Sequence, residues 1–248
     1  MSIETDAEAL ARAGFTEGGA MWKYYDSMET KTSKSKKAEP VPYSIFFAYM
    51  RFNRDGSFAS YNYYYAGKED EPINPSSDPN VPNSLGHFVR DMAMYARPSS
   101  PNDGRYQYWG RELDNVQFPR RYSYCVYFMD DLYWRFLMDD KNRPVITFHE
   151  EKNGKKYSKH KYAFSSPELL HVDMPIFNSS DTDVRQAAVM INRMANKNGK
   201  WLKKNERESY LFDLWMRVKY AGSNNGLTLI IDPGGDNLGP PGPPPDLP

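Results

Sequence analysis

The chain has 248 residues, of which 40% are hydrophobic and 26% charged, the composition of an ordinary globular protein with a sizeable core. Its 32 basic residues are balanced by 32 acidic ones, so no overall field favours a polyanionic partner. The single cysteine, Cys125, excludes an intramolecular disulfide and a cysteine-based zinc cluster. The sequence has no signal-peptide pattern and no run of the ~20 apolar residues that span a bilayer, so we expect a cytoplasmic protein without a membrane partner.

The N-terminal half begins with residues 1–39, which are predicted to form a short helix and a basic linker. Two aromatic runs then flank Asp55-Gly56, a pair typical of a tight two-residue hairpin turn. Such a turn places every second residue of both runs on one face, which belongs to a core. The predicted cross-strand pairs are Phe46–Tyr65, Ala48–Tyr63, Met50–Tyr61 and Phe52–Ala59.

Two helices are predicted from apolar residues at helical spacing. The first covers residues 84–96, with Ser84 as its N-cap and Pro98 as its stop signal. The second covers residues 181–195, where an apolar stripe follows acidic residues that suit a helix N-terminus.

The remaining aromatic runs are interpreted as a meander of strands, although residues 132–138 also fit a helix. The clearest strand is 210–220, in which alternate apolar residues face a core. Asp213 is expected to face solvent there, so its replacement should cost little stability. Residues 227–231 are expected to return antiparallel beside this strand.

These elements predict an α+β fold, mainly antiparallel sheet with packed helices and a proline-rich C-terminal tail. The main domain is placed at residues 40–232. The tail, residues 233–248, is predicted to form neither helix nor sheet, and to be disordered or docked on a partner.

A metal site is the first candidate for chemistry. If Asn153-Gly154 is a two-residue turn, His149 and His160 lie on one face, about 7–8 Å apart, which a shared metal ion can bridge. His171 would be a further ligand, and Glu151 and Asp173 are alternatives to it. Solvated surface histidines are the competing interpretation.

No residue is assigned a catalytic role. Cys125 lies in an apolar strand, without the basic setting that lowers a thiol pKa. The pair Asp130-Asp131 could hold a metal or transfer protons, but acidic turn residues at strand ends are more common. The sequence has no phosphate-binding glycine loop and no nucleophile elbow, so no cofactor is implied.

Lysines interleaved with aromatic residues suit single-stranded nucleic acid, because charge follows the backbone and rings stack on bases. The alternative is a solvated lysine face that protects a strand edge. The candidate nucleic-acid-binding residues are Lys155, Lys156, Tyr157, Lys159, Lys161, Lys203 and Lys204.

Three functions follow from these features. The leading hypothesis is a non-catalytic interaction or assembly protein, which docks a protein partner or a second copy through aromatic strand surfaces and terminal segments. The alternatives are a nucleic-acid-binding protein that uses the lysine–aromatic stretches, and a metal-dependent hydrolase with a His149/His160 site. An enzyme is the less favoured class.

Overall fold

The computed structural model describes residues 44–53, 55–66, 73–74, 76–98, 103–110, 116–118, 122–131, 133–136, 145–160, 163–176, 181–194, 202–203, 206–218, 228–231 and 233–238. The predictions of an N-terminal helix and a basic linker lie outside these residues. Within them the chain is mostly β, with one helix. The predicted α+β class is therefore wrong. No helix in this described part is long and apolar enough to cross a membrane.

The elements follow one another along the chain as β-strands with a single helical interruption. In chain order they are β1 (Ser44–Phe52), β2 (Phe58–Ala66), α1 (Leu85–Ala96), β3 (Gln107–Gly110), β4 (Val116–Phe118), β5 (Tyr122–Met129), β6 (Trp134–Phe136), β7 (Ile146–His149), β8 (Glu151–Lys152), β9 (Lys155–Lys156), β10 (Glu168–Pro175), β11 (Thr182–Arg193), β12 (Arg207–Val218), β13 (Thr228–Ile231) and β14 (Gly234–Leu238). Two larger sheets and the small β8–β9 hairpin result.

The first sheet has six strands in the order β10, β11, β5, β1, β2, β3. All neighbours are antiparallel except β1 and β5, which are parallel. A parallel pair needs a connection that returns the chain to the same end of the sheet, and α1 lies in this connection.

The second sheet is built around β12. Strands β13 and β14 pair with one edge of β12 in one continuous register, interrupted at residues 232–233. Strands β6 and β7 also pair with β12, and β4 lies beyond β14. The predicted antiparallel return of residues 227–231 beside the 210–220 strand is confirmed for Thr228–Ile231.

The described residues form three layers, which are α1, the first sheet and the second sheet. Between the sheets, the ring centroids of Tyr127 and Phe212 lie 5.7 Å apart, and those of Phe46 and Phe118 lie 5.6 Å apart. The opposite face of the first sheet carries α1, which contacts β1, β2, β5 and β10. The aromatic excess of the sequence therefore fills a core in which both faces of the first sheet are covered.

The helix predicted over residues 84–96 is confirmed as Leu85–Ala96. Ser84 is its N-cap, and its hydroxyl accepts a hydrogen bond from the His87 backbone N–H at 3.0 Å. The second helical residue is Gly86, where a Cβ atom would lie 2.0 Å from the Ser77 carbonyl oxygen. Only glycine lets the first turn approach this loop so closely.

The helix predicted over residues 181–195 is wrong, because Thr182–Arg193 is strand β11. This strand lies between β10 and β5 and has a layer on each face, so odd and even positions are both apolar. Ala187, Ala188 and Ile191 are all fully buried. Such a doubly covered strand also satisfies the spacing of a helical stripe, which explains the wrong assignment.

The β1–β2 hairpin confirms three of the four predicted pairs. The fourth differs because Phe52 pairs with Phe58, after a register shift beside Arg51. The Gly56 N–H donates to the Asn53 carbonyl at 3.0 Å, and Gly56 has a φ of +88°. The turn is therefore longer than the predicted two-residue turn, with glycine in the left-handed region.

The proline-rich tail needs one correction. Gly234–Leu238 is a strand paired with β12 and β4, although no sheet was predicted from residue 233 onward. Gly235 is buried there, and a Cβ atom on it would lie 2.5 Å from the Phe118 ring. Glycine at position 235 therefore allows the Phe118 ring to pack directly against the backbone of β14. Residues 239–248 lie outside the described residues.

Candidate functional site

His149 and Asp213 form a hydrogen-bonded pair on the outer face of the second sheet. His149 Nε2 lies 2.5 Å from Asp213 Oδ2, and Lys152 Nζ lies 3.9 Å from Asp213 Oδ1. Asp213 is only 6% exposed, so its predicted solvent-facing position is wrong. The carboxylate orients the imidazole of His149, which is itself about one-third exposed.

His160 lies away from this pair. Its ring stacks on Phe148 with centroids 4.3 Å apart, and Phe148 packs against Phe212 of the core. Because Phe148 and His149 are successive residues of β7, their side chains point to opposite faces. Burial lowers the pKa of His160, and the charge of Glu150 opposes this shift in part.

The turn at Asn153-Gly154 forms as predicted, with φ values of +52° and +75°. The hairpin is short, because Ser158 donates its backbone N–H to the Ser209 carbonyl at 2.9 Å. The chain therefore turns toward β12 before it reaches His160. His149 and His160 therefore do not lie on one face of a hairpin, as the predicted metal site requires.

His171 belongs to the other sheet. It lies in β10, and its Nε2 is 3.2 Å from the side-chain nitrogen of Gln186 on β11. No group of three or more histidine, cysteine, aspartate or glutamate side chains in the described part of the chain could hold a metal ion. Cys125 is fully buried, and burial raises its thiol pKa well above the ordinary value.

Two of the candidate nucleic-acid-binding lysines, Lys156 and Lys159, have acidic neighbours. Lys156 is paired with Glu151 across the β8–β9 hairpin, and Lys159 Nζ lies 3.8 Å from a carboxylate oxygen of Glu150. Lys155 Nζ lies 5.4 Å from the centroid of the Tyr157 ring.

Of the remaining three candidates, the structure describes only Lys203. Lys203 is exposed, and its backbone N–H donates to Glu206 Oε2 at 2.8 Å. Lys161 and Lys204 lie outside the described residues. Lys159 thus has an acidic neighbour that offsets its charge, whereas Lys155 lies opposite another lysine, Lys152, across the hairpin.

A buried ionic network was missed by sequence reasoning. Asp130 follows β5 and accepts hydrogen bonds from Arg97 Nε at 2.7 Å, Arg185 Nε at 3.0 Å and the Tyr49 hydroxyl at 2.9 Å. Arg97 follows α1 and also donates to the Pro175 carbonyl at 2.7 Å. The network therefore ties α1 to β1, β5, β10 and β11.

The charge of Asp130 is stabilised despite its burial. Burial raises the carboxyl pKa, but the hydrogen bonds and charges of Arg97, Tyr49 and Arg185 outweigh it, so the pKa lies below the ordinary value. Asp131 accepts backbone N–H bonds from Phe52, at 3.2 Å, and from Tyr133 and Trp134 at the start of β6. Both carboxylates of the predicted acidic pair thus hold the fold together.

An aromatic cluster with one exposed ring, Tyr108, and one buried ring, Tyr95, lies where β2, β3 and α1 meet. We call it the tyrosine surface; its members are Tyr64, Tyr95, Tyr106 and Tyr108. Successive rings meet edge to face, with centroids 5.7 Å apart for Tyr108–Tyr64, 5.7 Å for Tyr64–Tyr95 and 5.2 Å for Tyr95–Tyr106. Tyr108 is 50% exposed, although it belongs to a strand.

Charged groups fix one end of the tyrosine surface. Arg105 Cζ lies 5.7 Å from the centroid of the Tyr95 ring, and its guanidinium pairs with Asp103 at 2.5 Å and with Asp91 at 3.2 Å. Asp91 also accepts a hydrogen bond from the Tyr106 hydroxyl. The rings are therefore held in place by packing on one side and by ion pairs on the other.

No family model matches the chain. Comparisons with curated proteins and with solved structures likewise give no match. The structure itself therefore describes the class of protein. In the described residues the chain is mostly β and has three layers, and the tyrosine surface lies beside the β3 edge of the first sheet. The signal that could have located this surface is the Tyr106-x-Tyr108 spacing close to an exposed turn.

Proposed function

We propose that this chain is a non-catalytic protein-interaction protein that docks a partner on the tyrosine surface. The observation that carries the proposal is the exposure of Tyr108 on a preformed ladder of tyrosine rings. Tyrosine and arginine are enriched at interfaces because they offer large contact area together with hydrogen bonding. A preformed ladder also reduces the entropy lost when a partner binds.

The position of the surface supports the same function. Tyr108 lies on β3, the last strand of the first sheet, where a partner can approach from the side. The helix α1, which carries Tyr95, forms the other border of the surface. Aromatic rings, an arginine and a sheet edge together form the usual chemistry of a docking site.

The alternative functions receive less support. Lys159 and Arg207 are paired with Glu150 and Asp236, which reduces the positive charge that these two residues offer to nucleic acid. His149 and Asp213 form one oriented pair, but a hydrolase would need further groups that bind and activate its nucleophile.

The test uses peptides selected from a display library on the immobilised protein. Selected peptides are then titrated against the Tyr108→Ala variant and against Ile230→Ala, a matched control on the second sheet that is 44% exposed. We expect Tyr108→Ala to weaken binding at least about tenfold and Ile230→Ala to leave it unchanged. Selected peptides that bind both variants equally, or no selected peptides at all, would contradict the proposal.

A further inference from the structure

We infer that this chain pairs with a second copy of itself along β10, so that the first sheets of the two copies join into one continuous sheet. The two β10 strands run antiparallel about a twofold axis that passes beside Val172. The contact lies at the opposite edge of the first sheet from β3, so the inference does not depend on the proposed function.

Strand β10 is a long and regular edge strand. Within the described residues its only neighbour in the sheet is β11, and its eight residues pair with β11 in continuous register, without a bulge. The other edge strand, β3, has four residues and a register shift in its pairing. Bulges, lysines and internal prolines usually protect an edge from further strands, and β10 has only one proline, at its last position.

The backbone groups of β10 point alternately toward β11 and away from it. Ile176, which follows the strand, donates its N–H to the Asp181 carbonyl at 2.8 Å. In an antiparallel pair every second residue bonds to the neighbour in this way, so the even-numbered residues of β10 point to β11. The odd-numbered residues that point away from β11 are Leu169, His171, Asp173 and Pro175.

Pro175 fits this assignment. Its carbonyl accepts a hydrogen bond from Arg97 Nη1 at 2.7 Å, and its missing N–H costs no bond to β11 because the position points outward. No backbone group in the described part of the chain bonds to the outward N–H or C=O of Leu169 or Asp173. A second strand can therefore bond to these groups.

The outward residues of β10 are complementary to themselves. With the twofold axis beside Val172, His171 of each copy lies opposite Asp173 of the other, and each such pair exchanges two backbone hydrogen bonds. A partly buried imidazole then faces an exposed carboxylate, which can accept its N–H. A shift of one residue would place His171 opposite His171 and Leu169 opposite Asp173, so this complementarity favours the register centred on Val172.

An exposed apolar side chain lies beside the same edge. Met94 of α1 is 37% exposed, and its Sδ lies 3.8 Å from the Arg97 Nη1 that binds the Pro175 carbonyl. Met94 therefore borders the end of β10. In the twofold arrangement this end lies opposite the first residues of β10 in the second copy, which then cover part of the methionine.

The expected dimer is weak. The side chains on the helix side of β10, Leu170, Val172 and Met174, are already buried within each copy. Pairing therefore adds mainly backbone hydrogen bonds and little apolar burial, and we expect a dissociation constant on the order of 10–100 µM. At about 1 µM the folded chain is then mostly monomeric.

Sedimentation equilibrium of the full-length chain from about 1 to about 500 µM tests the association. We expect a monomer–dimer equilibrium that Asp173→Lys weakens at least about tenfold, because a lysine then faces His171 and protects the edge. The matched control Asp181→Lys changes the charge of another exposed aspartate, on the side of β11, and should leave the equilibrium unchanged. Because Asp173 is exposed, its replacement should also leave the melting temperature unchanged.

Cysteine cross-linking under mild oxidation tests the register. The Cα atoms of the two Val172 residues would lie about 4.5 Å apart, within the range of a disulfide, whereas those of the two Asp173 residues would be separated by more than the ~7 Å limit. We expect Val172→Cys to give a covalent dimer on a non-reducing gel and the more exposed Asp173→Cys to give much less. The native Cys125 is fully buried and should not contribute.

Three results would overturn the inference. A monomer at every concentration would exclude the dimer, and a dimer that Asp173→Lys leaves unchanged would exclude β10 as its interface. A dimer that Tyr108→Ala abolishes instead would assign self-association to the tyrosine surface. Preferential cross-linking of Asp173→Cys would exclude the register centred on Val172.

Discussion

Replacing Asp130 with Asn tests whether the buried network holds the layers together. Asp130 is 8% exposed, and it separates Arg97 and Arg185, which are 7% and 3% exposed. An amide of the same shape cannot balance two buried guanidinium groups, and its NH₂ group faces donors. Removing one partner from a buried ion network costs about 3–5 kcal/mol, because the remaining charge stays buried without compensation.

Urea unfolding at pH 7 measures this cost, with Asp173→Asn as the control. Asp173 is an exposed aspartate of β10, so its replacement should change the free energy of unfolding by less than about 0.5 kcal/mol. A cost below about 1 kcal/mol for Asp130→Asn would refute the reasoning, because it would mean that the two arginines do not depend on this carboxylate.

The pH dependence gives a second check with a definite sign. The pKa of Asp130 is lowered in the folded chain, mainly because the hydrogen bonds and charges of its partners outweigh burial. Its contribution is therefore complete above the ordinary aspartate pKa of 3.8 and is lost as the pH falls through the lower folded pKa. The stability difference between wild type and Asp130→Asn should shrink below about pH 4.

Three further predictions concern single positions. Gly235→Ala should lower the melting temperature, because the new Cβ would lie 2.5 Å from the Phe118 ring; an unchanged melting temperature would contradict this packing. His160→Phe should flatten the loss of stability below about pH 6.5, since the lowered folded pKa of this histidine lets the unfolded state take up the proton first. Equal slopes from pH 7.5 to 5.5 would contradict it. Asp213→Asn should cost about 1–3 kcal/mol, because a neutral amide is a weaker partner than the carboxylate for His149 and for the nearby Lys152 charge, and a neutral result in urea would contradict this role of Asp213.

Local signals in the sequence predicted the elements that carry them. The α1 helix has its N-cap serine and apolar spacing, and three pairs of the β1–β2 hairpin follow from strict alternation. Strand β11 could not be predicted in this way, because its two covered faces remove the alternation that distinguishes strand from helix. The error in fold class follows from this one segment more than from any other.

Long-range contacts explain why the network and the tyrosine surface were missed. Arg97 and Asp130 are 33 positions apart, and Asp130 and Arg185 are 55 apart, so no local spacing indicates that they meet. The tyrosine surface likewise joins β2, α1 and β3, which become neighbours only after the sheet has formed. The sequence has 19 tyrosines, but which of them group together depends on topology.

Asp213 shows why alternation alone does not settle exposure. Its position on the outer face of β12 was predicted from the buried neighbours Phe212 and Leu214, and that alternation holds. A side chain on an outer face is still buried when partners from the adjoining strand and hairpin cover it, as His149 and Lys152 do here. The carboxylate tolerates that burial because it contacts the imidazole of His149 and lies near the charge of Lys152. On this sheet, periodicity decides the face, and charge pairing decides which polar side chains become buried.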